Sequence, residues 1–383
     1  MSDSALMAAP GVLERARDWY DRKLTSPQFR AFASRFPLTR PLARRRVRAL
    51  FDLCAGFVYT QTLLACVRLR VFEYLRDGPV AEAALVARLG LSPAAAATLL
   101  GAAESLKLVA RRRGGRWGLG ALGAAMVDNP GVTAMVEHHA LVYRDLADPV
   151  ALLRRAKGAA GDSNQLAGYW PYAEVAQPSA LRDEQVAAYT ALMAASQPFI
   201  AEEVLAAYRF GGHRRLLDVG GGDGSFLRAV GAQAPELDLM LFDLPAVAER
   251  GRVRFAEAGL AGRARCFGGD FATDPLPEGA DIVSLVRVIH DHDDAKALAI
   301  LRNVRRALPA GGTLLLAEPM SGTPGAEPVM EAYFGFYLLA MGTGRPRRPA
   351  ELAAMLAAAG FGAPRLLPTH TPLLARVMTA KAL

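Results

Sequence analysis

The polar and apolar positions of the chain follow two rhythms that change near Arg214. Before it, apolar residues recur at helical spacing over long stretches; after it, short apolar runs alternate with helical ones. From Leu50 to Leu75 the pattern is helical, with Phe51, Cys54, Val58, Thr62 and Ala65 on one face. A second helical run covers Val80 to Leu89, turns at Gly90-Leu91-Ser92-Pro93 and resumes from Ala94 to Leu108. Ser92 suits an N-cap and Pro93 the first helical position. The basic run Arg111 to Arg116 then turns back into Trp117-Gly-Leu119, which predicts a winged helix. Residues 130–210 continue helically, with a loop expected over Gly158–Gly168 and breaks at Pro171 and Pro178.

Beyond Arg214 the predicted strands are Arg215–Val219, Leu237–Asp243, Ala264–Asp270, Asp281–Val288, Gly312–Pro319, Arg365–Thr369 and Ala375–Ala380. Strands alternating with helices predict an α/β, doubly wound, mostly parallel sheet, and the last two, joined by a short turn, an antiparallel edge. The domains expected are a basic segment over 1–48, a helical winged-helix domain over 49–185 and the sheet domain over 186–383. Ligands in such sheets sit at the carboxyl ends of the strands. The glycine turn after Val219, Asp243, Asp270 and the residues after Val288 all fall there.

That turn, Asp218-Val-Gly220-Gly221-Gly222-Asp223-Gly224-Ser225, has four glycines within five residues. Glycine lets the backbone bend sharply and approach a ligand, and the N–H groups of the following helix face the same space. Ser225 stands where the dinucleotide fingerprint wants its third glycine. Asp218 and Asp223 bracket the turn; they would repel a pyrophosphate and hold a cofactor carrying ammonium and sulfonium charges. Asp243, which follows Gly222 by 21 residues, falls where a carboxylate accepts both ribose hydroxyls. The inferred ligand is S-adenosylmethionine.

Charge alters the picture at one end. Residues 11–48 hold eleven Arg and Lys against three acids, a net of +8, and the whole 383-residue chain also carries +8. The remainder is therefore neutral. Trp19, Tyr20, Phe29, Phe32 and Phe36 lie among the arginines, so the segment suits an anionic lipid surface, helices docked on the body, or nucleic-acid phosphates. The helix Ala94–Leu108 has few groups able to read base edges, which favours a dimerisation surface over DNA. Cys54, Cys66 and Cys266 form neither a disulfide framework nor a zinc pattern. No basic n-region precedes the first apolar cluster, and no apolar run approaches the roughly 20 residues of a bilayer span. A cytoplasmic protein, or one peripheral on the membrane's cytoplasmic face, is expected.

After the fourth strand comes Arg287-Val-Ile-His290-Asp291-His292-Asp293-Asp294. Two histidines among three carboxylates resemble a metal cluster, but Asp293 and Asp294 precede a helix and read as its N-cap and first turn. No metal is expected. His290, at the strand end, is a candidate general base, and Glu318, ending the neighbouring strand, a candidate carboxylate to hold its other nitrogen.

Together, Leu217-Asp-Val-Gly-Gly-Gly-Asp-Gly224, Phe242-Asp-Leu-Pro245, Gly268-Gly-Asp-Phe271, His290-Asp291 and Ala317-Glu318 resemble the plant and bacterial small-molecule O-methyltransferases, which include the caffeate and hydroxyindole enzymes. The resemblance implies a seven-stranded Rossmann-like sheet with an N-terminal winged-helix domain that forms a homodimer. It also implies that Asp243 and Leu244 hold the ribose and adenine side, that Asp270 and Phe271 flank the adenine, and that Gly220, Gly221 and Gly222 line the methionyl part. His290 is implied to deprotonate the acceptor hydroxyl with Glu318 orienting it, and Met193 to lie near the acceptor, in a pocket expected to include Ser196, Phe336 and Met341. Arg287 stands close to the family's lysine and is expected near the adenine. His292 replaces the family's tryptophan, and Pro346 of Gly344-Arg-Pro-Arg-Arg348 stands in place of a further glutamate.

Phe36-Pro-Leu-Thr-Arg40-Pro-Leu-Ala-Arg44, Leu50-Phe-Asp-Leu-Cys54-Ala-Gly-Phe-Val-Tyr59 and Met341-Gly-Thr-Gly-Arg345-Pro resemble the carotenoid branch of that family. This likeness implies methylation of the C1 tertiary hydroxyl of an acyclic carotenoid. A soluble phenol, polyketide or tetrapyrrole as acceptor, and a winged-helix regulator that binds DNA, are the alternatives.

Overall fold

The computed structural model describes residues 11–155, 164–170 and 180–383. Contacts divide the chain into two compact units, one ending at Val127 and the other beginning at Asp128. The helices from Pro130 onward are thus counted with the sheet.

The first unit opens with helices α1 (Val12–Thr25), α2 (Pro27–Arg35) and α3 (Arg40–Arg68), followed by the short α4 (Val71–Leu75). The predicted Leu50–Leu75 helix is therefore both extended and broken. It begins at Arg40 and ends where Arg70 turns left-handed at φ 56°. Its expected apolar face is not a buried face within this unit. Only Thr62, Leu64, Cys66 and Val67 are buried, whereas Phe51 is 65% exposed, Leu53 81% and Phe57 64%. By length and composition α3 is long and apolar enough to cross a membrane, which corrects the expectation of no such run. Between Leu53 and Val67 its polar residues are uncharged, so the stretch stays apolar on average.

The winged helix follows as β1 (Val80–Ala81), α5 (Glu82–Leu89), α6 (Pro93–Ser105), β2 (Val109–Arg112), β3 (Arg116–Leu119) and the short α7 (Ala121–Ala124). Ser92 caps α6 by accepting from the Ala95 amide at 3.3 Å. The wing pairs in the order β1-β3-β2 and turns through Gly114 and Gly115, both at positive φ. Trp117 is buried beneath it, donating to Glu82 at 3.1 Å.

The second unit begins with α8 (Pro130–Asp145), α9 (Pro149–Arg154), α10 (Gln165–Tyr169) and α11 (Asp183–Ala207). The breaks expected at Pro171 and Pro178, and part of the 158–168 loop, lie outside the described residues. The rest of that loop is helical, because the Asp145 carboxylate accepts from the amides of Gln165 and Leu166, at 2.7 and 2.8 Å, and satisfies the start of α10.

The alternating half gives β4 (Arg215–Val219), α12 (Ser225–Gln233), β5 (Asp238–Asp243), α13 (Pro245–Glu257), β6 (Ala264–Gly268), β7 (Ile282–Val286), α14 (Asp294–Ala307) and β8 (Thr313–Glu318). A single π-helical turn (Pro328–Tyr333), α15 (Phe334–Met341), α16 (Pro349–Ala358), β9 (Arg365–Leu367) and β10 (Arg376–Lys381) complete it. The seven strands lie in the order β6-β5-β4-β7-β8-β10-β9. β10 is antiparallel to both neighbours, so it sits inside the sheet and β9 forms the edge. The continuous apolar runs of β4, β7 and β8 are buried on both faces: Leu217 and Val283 pack against α14 and α16 on one side, Leu216 and Ile282 against α12 on the other.

Candidate active site

A cavity of about 950 Å³, including its mouth, lies over the carboxyl ends of β4, β5 and β7. The order switches there: β5 and β7 flank β4, so the crossovers leave on opposite faces and open a crevice. The glycine turn forms its floor. Gly220, at φ 71°, lies under Val288, where an added Cβ would stand 2.8 Å from that side chain. At Gly221 a Cβ would come within 2.4 Å of Asp218 Oδ2. Only hydrogen fits at either place.

Asp243 at the end of β5 is buried and already organised. Its two oxygens accept from the amides of Gly222 (2.8 Å) and Leu244 (2.7 Å), which aims its remaining lone pairs into the cavity. Burial raises its pKa to about 6, against the pull of those two amides. Asp218 lies deeper. One oxygen accepts from Ser284 at 2.6 Å, while the other is buried with no partner. Burial pushes its pKa up to about 7, the Ser284 bond works against that rise, and nearby Asp243 adds to it. An unpartnered buried carboxylate oxygen on the wall is what a cationic ligand requires. A dinucleotide pyrophosphate would meet repulsion there.

Asp270, Phe271 and Met193 also line the cavity, as do Gly220, Gly221, Gly222, Leu244 and Arg287. Arg287 sits on the wall, but its guanidinium turns toward α11. It donates to Ser196 Oγ (2.8 Å), the Met193 carbonyl (3.0 Å) and Gln197 Oε1 (2.5 Å), from a backbone held at φ 57°. Ser196 is thus engaged by the clamp and is not part of the cavity wall. Phe336 and Met341 pack with Val142, Leu152 and Trp170 in a separate apolar cluster, of which Trp170 and Tyr189 reach the wall.

His290 lies in a single 3-10 turn after β7. Its Nδ1 is 2.5 Å from Glu318 Oε2 and its Nε2 is 3.1 Å from Asp291 Oδ1. Glu318 is 1% exposed, and its oxygens also accept from the amides of Val288 (3.0 Å), Ile289 (2.8 Å) and His290 (3.4 Å). The carboxylate therefore holds both the ring and the turn that carries it. Burial opposes the charged imidazolium, but Asp291 and Glu318 together outweigh it, and the pKa of His290 is raised. Phe334 of α15 meets the ring edge-on, with centroids 6.0 Å apart.

Asp293 and Asp294 occupy the N-cap and first turn of α14. Asp293, however, accepts from the Gly344 amide, and Asp294 pairs with Arg345 and Arg347. Where a glutamate was sought in the Gly344–Arg348 run, Arg347 is buried instead. It donates to the carbonyls of Ile289 and His292, each at 2.7 Å, and so holds the His290 turn from behind. Among the described residues no group of three His, Cys, Asp or Glu is placed to hold a metal ion.

Sequence reasoning missed several wall residues: Trp170, Tyr189, Asp291 and His292. His292 stacks on Trp170 (6.1 Å) and meets Phe271 edge-on (5.5 Å); burial, with nearby cations, lowers its pKa to about 3, so it is neutral. Asp291 and His292 were visible inside the His290 motif. Trp170 and Tyr189 carry no spacing that ties them to the strand ends.

A doubly wound sheet with a crevice lined by buried carboxylates over its strand ends, beside a buried imidazole–carboxylate pair, has the architecture of a nucleoside-dependent group-transfer enzyme. Residues 143–362 match the O-methyltransferase domain and residues 51–129 the O-methyltransferase dimerisation domain. The chain belongs to the S-adenosylmethionine-dependent O-methyltransferases. It is 47% identical to the demethylspheroidene O-methyltransferase of Cereibacter sphaeroides, covering 93% of this chain and 92% of that one. To the enzyme of the same name from Rhodobacter capsulatus it is 42% identical, over 90% of this chain and 84% of the other. Its fold matches the S-adenosylhomocysteine-bound structure of CalO1, a methyltransferase of calicheamicin biosynthesis, with a TM-score of 0.74 at 27% identity, covering 88% of this chain and 98% of that one.

Proposed function

We propose that the protein transfers the methyl group of S-adenosylmethionine to the C1 tertiary hydroxyl of an acyclic carotenoid of the demethylspheroidene type. The observation that carries this reading is the 47% identity, along nearly the whole of both chains, to an enzyme named for that acceptor. S-adenosylmethionine, when bound, supplies an electrophilic methyl group. The residues proposed to hold it are Asp243 at the ribose, Asp270 and Phe271 about the adenine, and Asp218 with the glycine turn at the cationic end.

The proton of the acceptor goes to the cluster built on His290, with Glu318 fixing the ring. A tertiary alcohol is far less acidic than a phenol, so loss of its proton accompanies attack, and most of the rate comes from alignment. This reading takes residues 186–383 as the methyltransferase domain, 49–185 as the winged-helix dimerisation domain and 1–48 as the basic segment.

The acceptor resides in a membrane, and the segment that precedes the matched dimerisation residues is suited to reach it. In α1 and α2, Trp19 is 57% and Phe32 56% exposed, beside Arg15, Arg22, Lys23, Arg30 and Arg35. We assign α1 and α2 to peripheral contact with anionic lipid. The exposed stripe of α3, inside the matched dimerisation domain, is assigned to a homodimer.

The test is incubation with isotopically labelled S-adenosylmethionine and membrane extracts. Label in a 1-methoxy acyclic carotenoid is expected. Label only in water-soluble phenols would move the function to the second reading, which the wall aromatics Trp170 and Tyr189 favour by suiting a flat aromatic acceptor.

A further inference from the structure

The two halves of α11 have different surroundings. In the second half Ile200, Ala201 and Val204 pack into the core with Leu216, Phe226 and Ile282 of the sheet and α12. Along the first half Tyr189, Thr190, Met193, Ala194 and Gln197 line the cavity over the strand ends instead. The halves meet at Pro198, which lies inside the helix and has no amide to give the Ala194 carbonyl. The helical ladder is thinnest there.

The first half is fastened at both ends. At its start Asp183 accepts from Arg250 of α13 at 2.7 Å, and Val186 packs with Leu244 and Val247. At the proline Arg287, just past β7, donates to the Met193 carbonyl, Ser196 Oγ and Gln197 Oε1. Ser196 Oγ also donates to the Met193 carbonyl at 3.1 Å. Residues 183–197 therefore cross the crevice from the β5 side to the β7 side. The Arg287 fastening is closed under strain: a non-glycine residue keeps a φ of 57° only where its contacts over-determine it, and its Nε is buried with no partner.

We infer that Arg287 is a positioning residue that latches the first half of α11 as a strap across the bound cofactor, and that S-adenosylmethionine enters and its demethylated product leaves when this latch opens. The inference rests on the placing of the cofactor over the glycine turn proposed above; the acceptor plays no part in it. Gly220, Gly221 and Gly222 line the same cavity as Met193 and Ala194, so a ligand that fills it lies between floor and strap. Its release requires the strap to move. Pro198 supplies the axis, and the core-packed second half stays in place. Three hydrogen bonds from Arg287 oppose the opening, each worth roughly 2- to 10-fold in the balance between latched and unlatched.

The experiment measures release of S-adenosylhomocysteine from the full-length protein by stopped-flow displacement, beside hydrogen exchange along α11. Release is expected to quicken ~30-fold or more in Arg287→Met, which loses all three bonds, and roughly threefold in Ser196→Ala. Gln197→Glu keeps the shape and turns one bond into an ion pair, so release should slow; the slowing should vanish when Arg287→Met is added. Amides before Pro198 should exchange faster in Arg287→Met while those after it keep wild-type protection. Quicker release with unchanged exchange would make Arg287 a direct cofactor contact, and equal acceleration on both sides of Pro198 would make it a plain support of the fold. Either result overturns the strap. If Arg287→Met does not fold, Ser196→Ala and Gln197→Glu decide, and wild-type release in both overturns it as well. Should Asp243→Ala leave cofactor affinity unchanged, the placing of the cofactor falls and the strap with it; with that affinity weakened but release untouched in the Arg287 and Ser196 variants, the strap alone falls.

Discussion

The two halves of the site treat their carboxylates in opposite ways. At the β4–β5 end Asp218 keeps one buried oxygen with no partner, and Asp243 spends two amide bonds on orienting itself toward open space. At the β7–β8 end Glu318 accepts from three backbone amides and a ring nitrogen and has nothing left to offer. A polar atom left without a protein partner is free to meet a ligand; a saturated one holds other residues in place. On the function proposed above, the first end is a receptor and the second a mount.

Breaking the mount should cost most. Glu318→Ala strips four contacts from a buried turn and should lower unfolding free energy by about 3–5 kcal/mol, read from chemical denaturation, with turnover lost even where the protein folds. Next is His290→Ala, expected to reduce kcat by ~100-fold or more while leaving cofactor affinity, read by calorimetry, within a few fold. A variant that loses both equally would erase the distinction between the ends. At the receptor, Asp243→Ala should weaken S-adenosylmethionine by about 1.5–3 kcal/mol, the worth of hydrogen bonds to a charged group. Unchanged affinity in equilibrium dialysis would remove Asp243 from the ribose.

The smallest effect is a pH slope. The carboxyl of Asp218 titrates near 7 and attracts a cation only when ionised. Cofactor affinity should therefore rise severalfold from pH 6 to pH 8, and Asp218→Asn should flatten that rise. A flat wild-type profile would place the cationic end elsewhere.

The receptor was largely legible in the sequence, because a glycine turn and the acid 21 residues beyond it are local features whose geometry follows from strand–turn–helix chemistry. The pairing of His290 with Glu318 was also readable, since β7 and β8 are neighbours and each residue lies at or just past the end of its strand. What stayed hidden depends on packing between distant segments. Nothing near Arg287 announced that it would reach back to donate to Met193 and Ser196. Trp170 and Tyr189 reach the wall only because of how α10 and α11 lie over the sheet. The stripe on α3 was visible, but periodicity says which residues share a face, not what covers that face.

Arg347 carries a further consequence. Its guanidinium lies fully inside the protein and grips the carbonyls on either side of His290 from the rear. The segment that brings it there follows α15, on which Phe334 faces the same imidazole. Evolution of a new acceptor preference by lengthening or shortening the chain between Met320 and Arg347 would thus detune proton removal at the same stroke. Diversification along this lineage is channelled toward exchanging side chains on an unaltered backbone.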